Sequence, residues 1–209
     1  MAEDQRSSDR TFEIVEVIVL AMVAIATAFS GYQGTKWGGQ QALLYGQAST
    51  TRFQADAAST LGGQTLIADA SFFTAWLQAH AAGDTQLEAL FEKRFTPEYK
   101  AAFDEWLDTD PFHDPNAPPG PGAMPGFTNP DMAEAAQLNA QASADFAEGT
   151  TARETANTYI RNTVLFASVL FFVAIAQRFK IRRVRMSANA IAVVLLTLAL
   201  ASMLSLPRI

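Results

Sequence analysis

Six side chains that can ligate a hard cation or move a proton fall within one short stretch: Asp104, Glu105, Asp108, Asp110, His113 and Asp114. Oxygen-rich groupings on a flexible loop suit calcium, which takes several carboxylate and carbonyl ligands. The spacing matches no EF-hand, and the same residues have an ordinary structural use. Asp110-Pro111 and Asp114-Pro115 are turn starters, and Asp108 can close a helix. A cation site on Asp104, Asp108, Asp110, His113 and Asp114 therefore stands beside a plain turn reading. The rest of the chemical repertoire is narrow. The chain has no Cys, which removes disulfides, thiolate nucleophiles and Cys-built metal centres, and it has only two His. Neither His80 nor His113 has a Ser at a motif spacing, and there is no GxSxG, HExxH or P-loop. A non-enzymatic protein without a cofactor is the expectation.

The elements that would position these residues are helical. Gly83 closes one helix, and Thr85-Gln86-Leu87-Glu88 reads as a capping box for the next, whose apolar stripe is Leu87, Leu90, Phe91 and Phe95. Thr96 is a suitable N-cap and Pro97 a suitable first helical residue for a third helix, with Tyr99, Phe103, Trp106 and Leu107 on one face. Phe72, Phe73, Trp76 and Leu77 join these aromatics as a core in preference to a ligand pocket, because aromatic residues at helical spacing usually pack on one another. Residues 108–130 hold seven Pro and three Gly, which no helix or sheet ladder can carry, so they form an ordered or semi-ordered loop. Asn129-Pro130-Asp131 then caps a helix that meets no breaker except Gly149 before the next apolar block.

Three apolar blocks, near 14–32, 159–177 and 189–206, each approach the ~20 residues that cross a bilayer core. The predicted fold class is all-α: an integral membrane protein with three transmembrane helices and an extracytoplasmic antiparallel helical hairpin or bundle. A cleaved signal peptide is the rival for the first block, but residues 1–16 carry five acids against two Arg, so a retained anchor is expected. The loop at 178–188 carries Arg178, Lys180, Arg182, Arg183 and Arg185, and short loops dense in cations stay in the cytoplasm. That places residues 1–13 inside, 33–158 outside and 207–209 outside. Tyr32, Trp37 and Tyr159 would then lie at the outer interface. No block has an ionisable residue near its centre, which argues against a charge-moving transporter. Glu16, one turn inside the cytoplasmic edge, is expected to pair with Arg178 or Lys180.

Residues 33–158 carry six bases against sixteen acids, a net charge of −10 that repels phosphate backbones and excludes nucleic acid as the partner. Small residues recur every three or four positions at Ala21, Ala24, Ala28, Gly31, Thr35, Gly38 and Ala42, and Gly34 to Gly38 matches GxxxG. Ala133, Ala136, Ala140, Ala144, Ala147 and Thr151 repeat the device on the returning helix. Intrachain packing of these two stripes, with Ala24, Ala28, Gly31, Gly34 and Gly38 at the contact, is the favoured reading, and homodimerisation is its alternative. The two arms match in length, at about 30 residues or ~45 Å each, which suggests a kink or turn at Gly62-Gly63; a straight helix through to Ala82 is the alternative.

Several stretches together resemble a group of uncharacterised bacterial three-span membrane proteins with a helical extracytoplasmic segment. They are Phe29-Ser30-Gly31-Tyr32-Gln33 with Trp37 and Tyr45, Trp76-Leu77-Gln78-Ala79, Arg94-Phe95-Thr96-Pro97-Glu98, Ala102-Phe103-Asp104-Glu105-Trp106-Leu107, Asp110-Pro111-Phe112, the Ala117-Pro118-Pro119-Gly120-Pro121 loop with Met124-Pro125, and Thr163-Val164-Leu165-Phe166-Ala167. The resemblance covers most of the chain. It implies the bacterial cytoplasmic membrane as location, and it brings no activity, cofactor or substrate. The functional expectation is a scaffold or interaction protein whose partners are the lipid bilayer and either a second copy or an envelope protein. A channel or transporter subunit and a membrane-bound enzyme or metal-binding protein are the alternatives.

Overall fold

The computed structural model describes residues 2–179 and 181–209, with side chains described at 17–179, 181 and 183–209. The fold is all-helical, and no strand occurs among the described residues. The long helices are α1 (Ala2–Ala82), α4 (Pro130–Arg178) and α5 (Arg182–Ser205); α2 (Thr85–Glu92), α3 (Pro97–Leu107) and a 3-10 turn at Pro121–Ala123 lie between α1 and α4. Three helices, α1, α4 and α5, contain stretches long and apolar enough to cross a membrane.

Local signals set the helix ends. Gly83 adopts a left-handed φ of 74°, which ends α1. The cap of α2 is Asp84, one residue before the expected Thr85: its carboxylate accepts the Leu87 N–H at 3.0 Å. Asp reaches the orphan amides of a first turn as well as Thr does, and its charge also suits the positive helix end. Thr96 caps α3 as expected, with Pro97 opening it and Asp108 at its C-cap. Asn129 caps α4 by accepting the Met132 N–H at 3.0 Å.

The chain divides into two compact units, one of residues 1–46 and 146–209 and the other of residues 47–145. In the first unit α1, α4 and α5 pack around Val23, Phe166, Val169, Val173, Ala192 and Ala199. The antiparallel contact of α1 and α4 continues there through small residues. A Cβ on Gly149 would come within 2.6 Å of the Tyr45 ring, and one on Gly34 within 3.2 Å of Ile160. Tyr45 stacks on Phe146 at 4.9 Å and shares a hydrogen bond with Thr150 at 3.2 Å.

The small-residue face of this contact differs from the expected one. Ala24 and Ala28 are exposed, and a Cβ on Gly31 or Gly38 would meet nothing within 4 Å; of the five residues expected at the contact, Gly34 alone packs. On α4, Ala136, Ala140, Ala144, Ala147 and Thr151 are exposed, while Ala135, Ala142, Gly149, Ala152 and Ala156 are buried. The buried positions Ala135, Ala142, Gly149 and Ala156 recur every seven residues, the period of an antiparallel coiled coil. A spacing of three or four occurs on several faces of an Ala-rich helix, so it does not single out the packed one.

In the second unit the rings of Trp76, Phe95, Tyr99, Phe103 and Trp106 form the core, with Phe72, Phe73, Leu77, Phe91, Leu107, Met124 and Phe127 around it. Helix α1 passes through Gly62-Gly63 without a break, so no turn forms there. Gly62 is instead a point of close approach. Its carbonyl accepts from Asn129 Nδ2 at 3.1 Å, and a Cβ there would lie 2.9–3.1 Å from Asn129, Met132 and Asp131. Glycine permits a turn but does not impose one.

Candidate functional site

The acidic stretch at the end of α3 is resolved into separate local contacts. Asp104 pairs with Lys100, one turn earlier on α3, and Lys100 also lies 3.7 Å from Glu92. Asp110 faces His113, with Oδ1 and Nδ1 2.7 Å apart, and has a left-handed φ of 51°. Asp114 accepts from the Asn116 backbone N–H at 2.9 Å and from its side-chain amide at 3.2 Å, which is an Asx turn. The Asp108 backbone N–H donates to the Asp104 carbonyl at 3.2 Å, finishing α3. Among the described residues no group of three or more His, Asp or Glu is placed to hold a metal ion. Asp108 at the C-cap of α3, and the turns at Asp110 and Asp114, are local structural uses of three of these residues.

The more organised polar groups of this unit lie beside the aromatic core. Asp69, buried on α1, accepts the Thr96 backbone N–H at 2.9 Å and the Thr96 hydroxyl at 2.6 Å. The carboxylate thereby holds the N-cap of α3 against α1. Tyr99 stands next to this clamp; burial first, and the Asp69 charge second, push its phenol up to about 12. His80 is sandwiched between Trp76 and Phe112, with centroids 4.9 and 4.7 Å away, and its Nδ1 lies 3.2 Å from Glu88. Trp76 donates from Nε1 to Glu92 at 3.1 Å, and Trp106 donates to the Pro118 carbonyl at 2.8 Å, which ties the proline-rich loop to the core. A recess of about 260 Å³ is lined by Leu61, Thr65, Phe127 and Pro130 among others, and Phe127 is the residue it shares with the aromatic core.

In the first unit a second polar cluster surrounds residues 207–209. The hydroxyl of Tyr159 and the indole N–H of Trp37 both donate to the Pro207 carbonyl, at 3.0 and 3.2 Å. Gln33 accepts the Ile209 N–H at 3.3 Å, and the Arg208 guanidinium lies 6.0 Å from the Phe29 ring centroid. Ser30, fully buried, donates to the Tyr159 carbonyl at 2.8 Å. Tyr159 is fully buried as well. Asn162 is fully buried too, and neither its amide nitrogen nor its oxygen has a hydrogen-bond partner among the described residues. This cluster fastens the segment after α5 to α1 and α4 and contains no nucleophile with a base.

The expected basic loop at 178–188 is mostly helix, because α4 runs to Arg178 and α5 begins at Arg182; Arg178, Arg183 and Arg185, at these helix ends, are exposed. Lys180, the Arg182 side chain and the Glu16 side chain lie outside the described residues, and with them the expected Glu16 ion pair. The Asp69 clamp was not anticipated from the sequence, where a lone Asp on an apolar helix face was its only signal. The cluster at Pro207 had a partial signal in Tyr159, Trp37 and Gln33, whose polar groups need partners once buried. Comparison of the chain with protein-family models, curated proteins and solved structures finds no match.

Proposed function

We propose that this is a non-enzymatic integral membrane protein that holds an acidic helical projection outside the cytoplasmic membrane for interaction with other proteins. One observation carries the reading: the two helices that contain the first two apolar segments, α1 and α4, also supply the helical walls of the 47–145 unit. An anchor and a projection are thus made from the same helices. The basic residues Arg178, Arg183 and Arg185 at the facing ends of α4 and α5 support a cytoplasmic position for the α4–α5 junction, because cations resist translocation. The net charge of −10 on residues 33–158 favours basic protein surfaces over nucleic acid. Crosslinking in intact membranes, followed by purification in mild detergent, tests the reading. It requires a recurrent protein neighbour attached through residues 47–145; adducts to lipid alone would contradict it.

A further inference from the structure

Two triplets of the same form, a cap, a proline and an acid, meet at the recess of about 260 Å³ in the 47–145 unit. Thr96-Pro97-Glu98 opens α3 and Asn129-Pro130-Asp131 opens α4, and all six residues line the recess with Leu61, Thr65 and Phe127. Both helix starts are fastened to α1. Asp69 holds Thr96 through two hydrogen bonds, and Asn129 donates to the Gly62 carbonyl at 3.1 Å. The recess between them is therefore preformed, so a ligand enters it without first ordering its walls.

Its free chemistry is that of two carboxylates. The Thr65 hydroxyl donates to the Leu61 carbonyl at 2.9 Å. Thr96 is taken up by Asp69 and the Tyr99 N–H, and Asn129 by Gly62 and the Met132 N–H. Exposed Glu98 and half-buried Asp131 have no hydrogen-bond or ion-pair partner among the described residues. No base lines the recess among those residues, and Leu61, Pro97, Phe127 and Pro130 make the rest of its wall apolar.

Charge and size select the ligand. Each helix start contributes about +0.5 and each carboxylate −1, so the recess stays negative even before Asp69 is counted behind Thr96. An anion is repelled. A hard divalent cation needs more oxygen ligands than two carboxylates on an apolar wall supply, and no group of three His, Asp or Glu that could hold a metal occurs among the described residues. Drug-sized ligands occupy ~300–1,000 Å³, so this smaller recess suits a single side chain. We infer that it takes an arginine side chain of a protein partner. The apolar stem of arginine is covered by Leu61, Pro97 and Pro130, and its flat, weakly hydrated guanidinium suits the Phe127 ring and the carboxylates together. Lysine has the stem but carries a strongly hydrated point charge. This assignment rests on the projection proposed above and names the group that the projection grips.

The probe is the peptide acetyl-Gly-Arg-Gly-amide, titrated into the full-length chain in a non-ionic detergent and followed by saturation-transfer NMR. Saturable binding with a Kd on the order of 1 mM is expected, and the lysine counterpart should bind at least about fivefold more weakly. Glu98→Gln with Asp131→Asn should weaken arginine binding at least about tenfold, because two charge-assisted contacts are lost. Asp108→Asn with Asp145→Asn removes the same charge elsewhere in the unit and should change it less than about twofold. Thr65→Phe fills the recess without altering charge, so it should abolish binding and does not depend on the fold of the double variant. No saturable arginine binding, equal binding of the lysine peptide, equal loss in the control pair or binding that survives Thr65→Phe overturns the assignment. A chain that fails to bind the peptide yet keeps a crosslinked protein neighbour refutes the recess alone, whereas absence of that neighbour in intact membranes refutes the projection.

Discussion

The neighbouring glycines at 62 and 63 should respond to the same substitution with opposite signs. Both lie inside α1, where Gly→Ala adds about 0.5–1 kcal/mol through helix propensity and a less flexible unfolded chain. Around Gly63 a new Cβ would find only the Met132 methyl, at 3.8 Å, so Gly63→Ala should keep that whole gain. A Cβ on Gly62 would lie 2.9 Å from Asn129 Oδ1, 3.0 Å from Met132 Cγ and 3.1 Å from Asp131 Cβ. Asn129 cannot easily withdraw, because it caps α4 through Met132 and donates to the Gly62 carbonyl. Overpacking of this kind costs about 1–3 kcal/mol, so Gly62→Ala should lose about 1–2 kcal/mol net of its propensity gain. The assay is denaturant unfolding of the detergent-solubilised chain, followed by tryptophan emission from Trp76 and Trp106 in the aromatic core. A destabilising Gly63→Ala would mean that α1 turns at this pair, and a neutral Gly62→Ala would mean that α4 does not start against it.

Other substitutions probe the remaining contacts. Asp69→Asn should cost about 1–3 kcal/mol in the same unfolding assay, because it replaces a charge-assisted acceptor of two Thr96 hydrogens; an unchanged midpoint would refute the clamp. Asn162→Leu should be neutral or stabilising by up to about 2 kcal/mol, since both polar atoms it removes are buried without partners, and a loss of stability would show that the amide is bonded after all. Tyr99 gives an alkaline signature. Its phenol is raised from 10.0 to about 12 in the fold, so the unfolded chain releases that proton first, and stability present below pH 10 falls between pH 10 and 12 by roughly 2 kcal/mol at most. Tyr99→Phe should remove that part of the alkaline decline, and an identical pH profile for the variant would contradict it.

The helical architecture was legible because its signals are local. Thr96-Pro97, Gly83 and Asn129-Pro130 act within one turn, and the rings of α3 share a face at helical spacing. The two arms were harder. Residues 130–158 are so rich in Ala that several faces carry a small-residue stripe, and the packed one is chosen by its partner helix. The seven-residue period of Ala135, Ala142, Gly149 and Ala156 is present in the sequence, but the three- and four-residue spacing of the other small residues hides it. Gly62-Gly63 misled for a related reason: a missing side chain serves close approach as well as it serves a turn. The Asp69–Thr96 clamp and the fastening of Pro207 join residues far apart in the chain, and no window of sequence displays such pairs.

The orientation of the chain in the membrane tests the account most directly. Glu134→Cys and Met186→Cys place single thiols at exposed positions, one in the acidic unit and one among the basic residues at the start of α5. With a membrane-impermeant maleimide on intact cells, the account predicts labelling of Glu134→Cys at once and of Met186→Cys only after lysis. Labelling of Met186→Cys with protection of Glu134→Cys would contradict it.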